Sequence, residues 1–299
     1  MNKISLDFLG TGNAIPTEQR NHTGILINYD SENILFDCGE GIQRQFRLAK
    51  LSPSKLTRIF ITHWHGDHTL GIPGLLQTLA MSEYQKTLHI YGPRGTLKFM
   101  NLIQELLMHI KIKLEVHEIS SGIVLENKDF LIKAEEMVHG TTTLAYSMII
   151  KDKLRLNKSK IKKLKLPNYP LLGQLQAGKD ITFNGKKIKA KSVTYLEKGK
   201  KITIILDTKM DDKAIALAKD SNLLIAESTF SAQDEEKAKE YEHLTAKDAA
   251  TIAKKSKSQF LILTHISSRY EHNLKVIENE AKKVFKNTKV AKDLDSIEL

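Results

Sequence analysis

Apolar and polar residues alternate from the start of the chain. Ile4, Leu6 and Phe8 interleave with Lys3, Ser5 and Asp7, the period of a half-buried strand, and the run ends in the loop Gly10-Thr11-Gly12-Asn13-Ala14-Ile15-Pro16. Residues 24–29 and 33–37 read as the next two strands, turned by Asp30-Ser31-Glu32. A β-branched strand over 58–62 runs directly into His63, residues 71–81 carry the apolar spacing of a helix, and 88–93 form a strand that stops at Gly92-Pro93.

The second half repeats this grammar. Strands are predicted over 201–207, 223–227 and 259–265, and helices over 211–220 and 246–255, the latter with Thr245 as its N-cap. Strands alternating with helices in both halves imply an α/β protein whose sheets are covered by helices. Residues 151–180 break the pattern. They carry Lys151, Lys153, Arg155, Lys158, Lys160, Lys162, Lys163, Lys165 and Lys179 against Asp152 and Asp180, interrupted by Pro167 and Pro170. This segment reads as an insertion in a single 1–299 domain, a short helix, a turn and a second short helix standing off the body.

Composition narrows the classes. The 299 residues carry a formal net charge of +11, which favours a polyanionic partner, nucleic acid above all. One cysteine, Cys38, excludes an intramolecular disulfide and a Cys₄ zinc site, and fits a reducing compartment. The N-terminus lacks the apolar run of a signal peptide, and no stretch reaches the roughly 18 apolar residues of a membrane span, so a cytoplasmic protein is expected.

The chemistry concentrates at His63-Trp64-His65-Gly66-Asp67-His68. A strand running into a turn can aim two imidazoles at one metal and a carboxylate with a third imidazole at another, and both are good zinc donors. Four residues do not close two sites. Further single polar residues stand at strand ends: His139 after 130–138, Asp207 after 202–206 and His265 after 260–264. His89, His109, His117 and His272 read as structural or surface residues, and Cys38 as a small buried one. Gly10-Thr11-Gly12 lacks the third glycine of a dinucleotide fingerprint.

Together with Asp37-Cys38-Gly39-Glu40-Gly41-Ile42-Gln43-Arg44-Gln45 and Thr264-His265-Ile266-Ser267-Ser268-Arg269-Tyr270, these motifs resemble the short form of tRNase Z, the tRNA 3′-processing endonucleases of the metallo-β-lactamase superfamily. The resemblance implies an αββα four-layer sandwich with a protruding basic arm, a homodimer, and two Zn²⁺ per subunit, with Mn²⁺ as the other candidate. By it, His63, His65 and His139 hold one metal, Asp67, His68 and His265 the other, and Asp207 bridges them. Asp37 orients the ligands from behind, and Glu227 with His243 donates a proton; beyond the resemblance, Asp67 is expected to take the proton of the attacking water. Arg20, Asn21 and Arg269 meet the RNA, as do Lys158, Lys160, Lys162, Lys163 and Lys165 of the arm, whose usual Gly-Pro turn is replaced by Pro167-Asn168-Tyr169-Pro170. A small-molecule hydrolase of the same fold, or an RNA-binding protein with a retired metal site, is the alternative.

Overall fold

The computed structural model describes residues 3–108, 110–166 and 170–299. His109 and the expected turn residues Pro167, Asn168 and Tyr169 lie outside the described residues. Two compact units emerge: the described residues of Met1–Leu125, Ile132–Met148 and Lys201–Leu299, and those of Glu126–Leu131 and Ile149–Lys200.

The larger unit is organised by two seven-stranded sheets. Across the first, the strands run Ser296–Glu298, Ile4–Gly10, Gly24–Tyr29, Glu32–Phe36, Arg58–Phe60, Thr87–Gly92 and Lys113–Glu118. The pairing is antiparallel up to Glu32–Phe36 and parallel beyond it. Across the second they run Thr288–Val290, Leu261–Thr264, Leu223–Glu227, Lys201–Ile205, Thr143–Ile150, Phe130–Met137 and Gly122–Glu126, the first four mutually parallel.

Each sheet buries one face under helices. Leu26, Leu35, Ile59, Leu88 and Ile90 pack against Ile72, Leu75, Leu76 and Leu79 of the predicted helix Gly71–Met81. On the other side Ile205, Leu224, Ala226, Leu261 and Leu263 pack against Ala249, Ala250, Ile252 and Ala253 of Ala246–Lys255, and against Ile277 and Ala281 of Leu274–Val284. Between the sheets Phe36, Phe60 and Tyr146 form a fully buried aromatic cluster, with ring centroids 5.3 to 5.7 Å apart. Helix, sheet, sheet, helix is the αββα sandwich expected. Among the described residues no helix is long and apolar enough to cross a membrane.

Thr245 caps its helix as predicted. Its hydroxyl accepts from the Asp248 N–H while the Asp248 carboxylate accepts from the Thr245 N–H, a reciprocal capping box. Thr245→Ala should cost about 1 kcal/mol, read as a lower urea midpoint with an unchanged m-value.

The smaller unit has its own apolar centre of Leu166, Leu175, Ile181, Ile188 and Val193. The two predicted short helices are there, Lys158–Lys163 and Pro170–Gln176. The unit is larger than its most basic stretch suggested, because strand Lys153–Leu156 pairs with Thr194–Glu197 and Ile181–Phe183 with Lys186–Ile188. Strands of three or four residues leave almost no alternation to read. Its basic character continues through Lys186, Lys187, Lys189, Lys191, Lys198 and Lys200.

Candidate metal centre

Parallel strands deliver their next residues to one edge of the sandwich, the place where open α/β sheets bind ligands. Asp37 follows Glu32–Phe36, His63 closely follows Arg58–Phe60, Asp207 follows Lys201–Ile205, Glu227 ends its strand, and His265 follows Leu261–Thr264. At three of these corners the chain turns left-handed, with φ of +57° at Asp37, +28° at Asp207 and +56° at His265. Such backbone is costly for most side chains and collects at functional sites.

All seven expected ligands converge in two sets that share one carboxylate: His63, His65, His139 and Asp207, and Asp67, His68, His265 and Asp207. In the first, His63 Nε2 lies 2.9 Å from His65 Nδ1, and His139 Nε2 lies 3.3 Å from that same atom. Asp207 Oδ2 is 3.6 Å from His63 Nε2 and 3.8 Å from His139 Nε2. In the second, His265 Nε2 is 3.2 Å from both His68 Nε2 and Asp67 Oδ2, and 3.3 Å from Asp207 Oδ1. Four donors at zinc-bond lengths around a tetrahedral centre stand about 3.4 Å apart, which these spacings match. Asp207 Oδ1 is buried without a hydrogen-bond partner, an orphan that a cation would satisfy.

The far nitrogens of the imidazoles fix which lone pairs face inward. Asp37 Oδ2 accepts from His68 Nδ1 at 2.6 Å and from the Thr62 hydroxyl at 2.7 Å. That hydroxyl, with its proton committed, accepts from His63 Nδ1 at 3.0 Å. Thr229 acts likewise, donating to Glu227 Oε2 at 2.6 Å and accepting from His265 Nδ1 at 2.8 Å. His139 Nδ1 donates to the Glu242 carbonyl at 3.2 Å. Each of these rings therefore turns its Nε2 inward, as metal-binding histidines with an anchored far nitrogen do. The two threonine hydroxyls were not picked out from the sequence; a threonine just before a ligand strand end and one two residues after Glu227 were the available signals.

Electrostatics agree with a cation site. Burial, then the neighbouring imidazoles, holds His63 well below the ordinary histidine value, so its lone pair is free at neutral pH. Burial pulls His68 the same way, but Asp207 and Asp37 on either side push it well above that value. In the metal-free protein a proton thus sits between two carboxylates, and metal binding would release it.

The Asp37-to-Gln45 motif supports the centre through backbone. The Cys38 N–H donates to the His68 carbonyl and the Cys38 carbonyl accepts from the Gly71 N–H, which clamps the turn bearing Asp67 and His68. A side chain on Gly39 would meet the Asp67 carbonyl at 2.4 Å. Gln45 donates to the Leu9 carbonyl and to Asp293. Cys38 is fully buried, and burial raises its thiol pKa, so it is inert filler there.

His243 stands over the centre, its ring centroid 5.1 Å from His139 and 5.5 Å from His265. Its Nδ1 donates to Glu227 Oε1 at 3.0 Å, and Glu227, fully buried, is held further by the Thr208 N–H. Burial pulls the imidazolium down, but Glu227 and then Asp207 outweigh it and its pKa is pushed up to about 9.

The expected RNA contacts fare differently. Arg20 is 2% exposed and spends its guanidinium on Thr11, the Ala291 carbonyl and Glu271. In this position Arg20 braces the loop after the first strand. Asn21 is half-buried and donates its amide to the Glu40 carbonyl. Arg269 remains exposed, paired with Asp234 at 3.1 Å and stacked over Phe230. Lys158, Lys160, Lys162, Lys163 and Lys165 are all exposed in the smaller unit.

Comparison with known proteins agrees with this architecture. Residues 4–161 match the family model described as Anti-Pycsar protein Apyc1. The chain is 38% identical over 300 residues to Ribonuclease Z of Methanosarcina acetivorans, covering 99% of this chain and 98% of that protein. It is 35% identical over 305 residues to Ribonuclease Z of Enterococcus faecalis, covering 99% and 97%. Among solved structures, human tRNase Z, short form, superposes with a TM-score of 0.71 at 26% identity, covering 98% of each chain. The metallo-β-lactamase fold protein YhfI of Bacillus subtilis does so with a TM-score of 0.73 at 19% identity, covering 100% of each, which speaks to the fold alone. The chain thus belongs to the Anti-Pycsar protein Apyc1 family over residues 4–161 and, along its full length, to the ribonuclease Z family of the metallo-β-lactamase fold.

Proposed function

We infer that this protein is a tRNA 3′-processing endonuclease that holds two Zn²⁺, with Mn²⁺ as the other candidate, and removes the 3′ trailer just after the discriminator nucleotide. The observation that carries the reading is the pair of donor sets sharing Asp207, in a chain that matches ribonucleases Z end to end. Two such ions supply, when bound, an activated water and a brace for the reacting phosphate. The residues of the chain do the rest. Asp67, in contact with His68 and His265, is placed to take the proton of the attacking water. His243, anchored through Nδ1, carries a proton on Nε2 that it delivers to the departing 3′ oxygen. The products are a tRNA with a 3′-OH and a trailer with a 5′-phosphate.

Glu227 then sets the pH range over which His243 stays protonated. The raised value keeps the acid charged up to about 9. Without the carboxylate it should discharge nearer the ordinary histidine value of about 6.5. Glu227→Gln should therefore lower kcat and move the alkaline limb of its pH profile towards neutrality; an unmoved limb would remove His243 from the acid role.

The basic smaller unit supplies the grip on the precursor, with the exposed Lys158, Lys160, Lys162, Lys163 and Lys165 meeting its phosphates. We propose a homodimer as well, with the apolar cleft of about 300 Å³ lined by Trp64, Leu70, Pro73, Phe99, Leu102 and Leu106 as the surface a second copy would cover. The reading includes a cytoplasmic location for the reaction. The deciding experiment incubates the protein with a 3′-extended precursor tRNA, with and without chelator. Chelator-sensitive release of a 5′-phosphorylated trailer is expected. Trailers bearing 5′-OH, or an uncut precursor beside rapid hydrolysis of a small phosphodiester, would overturn the reading, the latter in favour of a small-molecule hydrolase of the same fold.

A further inference from the structure

We propose that His89, Glu115 and His117 form a separate site for one divalent transition-metal ion, outside the centre that Asp207 organises. The three stand on adjacent parallel strands, Thr87–Gly92 and Lys113–Glu118, where His89 is the register partner of Glu115 and Tyr91 of His117. The alternate residues Leu88, Ile90, Leu114 and Val116 pack into the helix-covered core. Strand alternation therefore places His89, Tyr91, Glu115 and His117 on the opposite face. Among the described residues Lys113–Glu118 is the last strand of its sheet, so this face lies beside the sheet edge.

The donor atoms converge. His89 Nδ1 is 3.2 Å from Glu115 Oε2 and 3.4 Å from His117 Nε2, and the last two atoms are 4.0 Å apart. Those separations again suit about 3.4 Å between donors around one ion with nitrogen and oxygen bonds near 2.1 Å. Protons serve this trio poorly. One proton on His89 Nδ1 satisfies Glu115 and leaves His117 Nε2 facing an N–H already spent; one on His117 Nε2 leaves His89 Nδ1 and the carboxylate as two acceptors in contact. A cation satisfies all three at once.

The surroundings hold the donors in place. The His117 ring stacks on Tyr91 at 4.5 Å and 15°, and Tyr91 stacks on the buried Phe60 at 4.6 Å and 7°. The nearby guanidinium of Arg58 is engaged by Glu32 at 3.2 Å, which tempers its repulsion of a cation. The side chains remain 26%, 56% and 38% exposed for His89, Glu115 and His117, so an ion can enter and water can complete its shell. Two imidazoles and one carboxylate select Zn²⁺, Ni²⁺ or Cu²⁺ over Mg²⁺ or Ca²⁺. The ion would tie the edge strand to its neighbour.

The test uses the full chain, stripped with chelator and then dialysed against Zn²⁺. Elemental analysis should find one more equivalent per chain in the wild type than in the double variant His89→Ala/His117→Ala. That equivalent should survive in Asp207→Asn, which loses metal at the other centre. Cu²⁺ added to Asp207→Asn should give a paramagnetic resonance spectrum with nitrogen splitting that disappears when His117→Ala is added. Glu115→Gln, a milder change, should weaken Zn²⁺ binding without altering the melting temperature of the metal-free protein. Precursor tRNA cleavage by His89→Ala/His117→Ala should match the wild type, which keeps this outcome apart from that of the proposed function. Equal zinc stoichiometry in the wild type and the double variant, or a copper spectrum unchanged by His117→Ala, would overturn the proposal.

Discussion

Asp207→Asn should lose bound metal and slow hydrolysis of precursor tRNA and of a small phosphodiester alike, by ~10³-fold or more, about 4 kcal/mol of transition-state stabilisation. The size of the effect follows from the position of one carboxylate between two donor sets. Oδ2 lies 3.4 to 3.8 Å from His63, His68 and His139, and Oδ1 lies 3.3 Å from His265 with no hydrogen bond of its own. Asparagine preserves the shape and the left-handed backbone but withdraws the charge and places an amide where an oxygen faced the imidazoles. Metal per chain, measured beside kcat on both substrates, checks it. A variant that kept its metal and both activities would remove Asp207 from the bridging role.

Changing Lys158, Lys160, Lys162, Lys163 and Lys165 together to glutamate should have the opposite selectivity. Precursor tRNA cleavage should collapse through KM, while turnover of a small phosphodiester stays at the wild-type level. The residual tRNA binding should depend less on salt, its log–log slope becoming shallower by roughly one for every phosphate no longer neutralised. Substitution is the better instrument than excision. The segment 153–178 contains strand Lys153–Leu156, paired with Thr194–Glu197, and the core residues Leu166 and Leu175, so removing it would unfold the smaller unit. The helix Lys158–Lys163 directs Ile161 to that core and its lysines to solvent, and Asn157 caps it, so charge reversal leaves its packing intact. Equal loss on both substrates would end the division of labour between the units.

What could be read from the residues, and what could not, divides along physical lines. Long strands with strict alternation or a continuous apolar run, such as 24–29 and 201–205, were legible because one face or both are buried. The residues that converge at the two donor sets were legible because an isolated histidine or aspartate at the end of an apolar strand is conspicuous. The two short pairs of strands in the smaller unit were not, since three- or four-residue strands carry too little pattern. The burial of Arg20 was not legible for a different reason. A sequence records charge and not depth, and the fold surrounds this arginine with Glu271, Asp293 and Asp295, which compensate its burial. His89 and His117 looked unremarkable because they stand 28 residues apart along the chain, and meet Glu115 only when their two strands lie in register.

The left-handed corners at Asp37, Asp207 and His265 constrain how a relative of this protein can decay. Glycine, asparagine, aspartate and histidine tolerate that backbone, whereas valine, isoleucine and threonine do not. A descendant released from catalysis can therefore exchange these residues for asparagine or glycine and still fold, but a β-branched replacement at the same corner costs it the sandwich as well as the metal. Folded, inactive cousins should accordingly carry a narrow vocabulary at these three positions, a fossil of the backbone that outlasts the chemistry it once aimed.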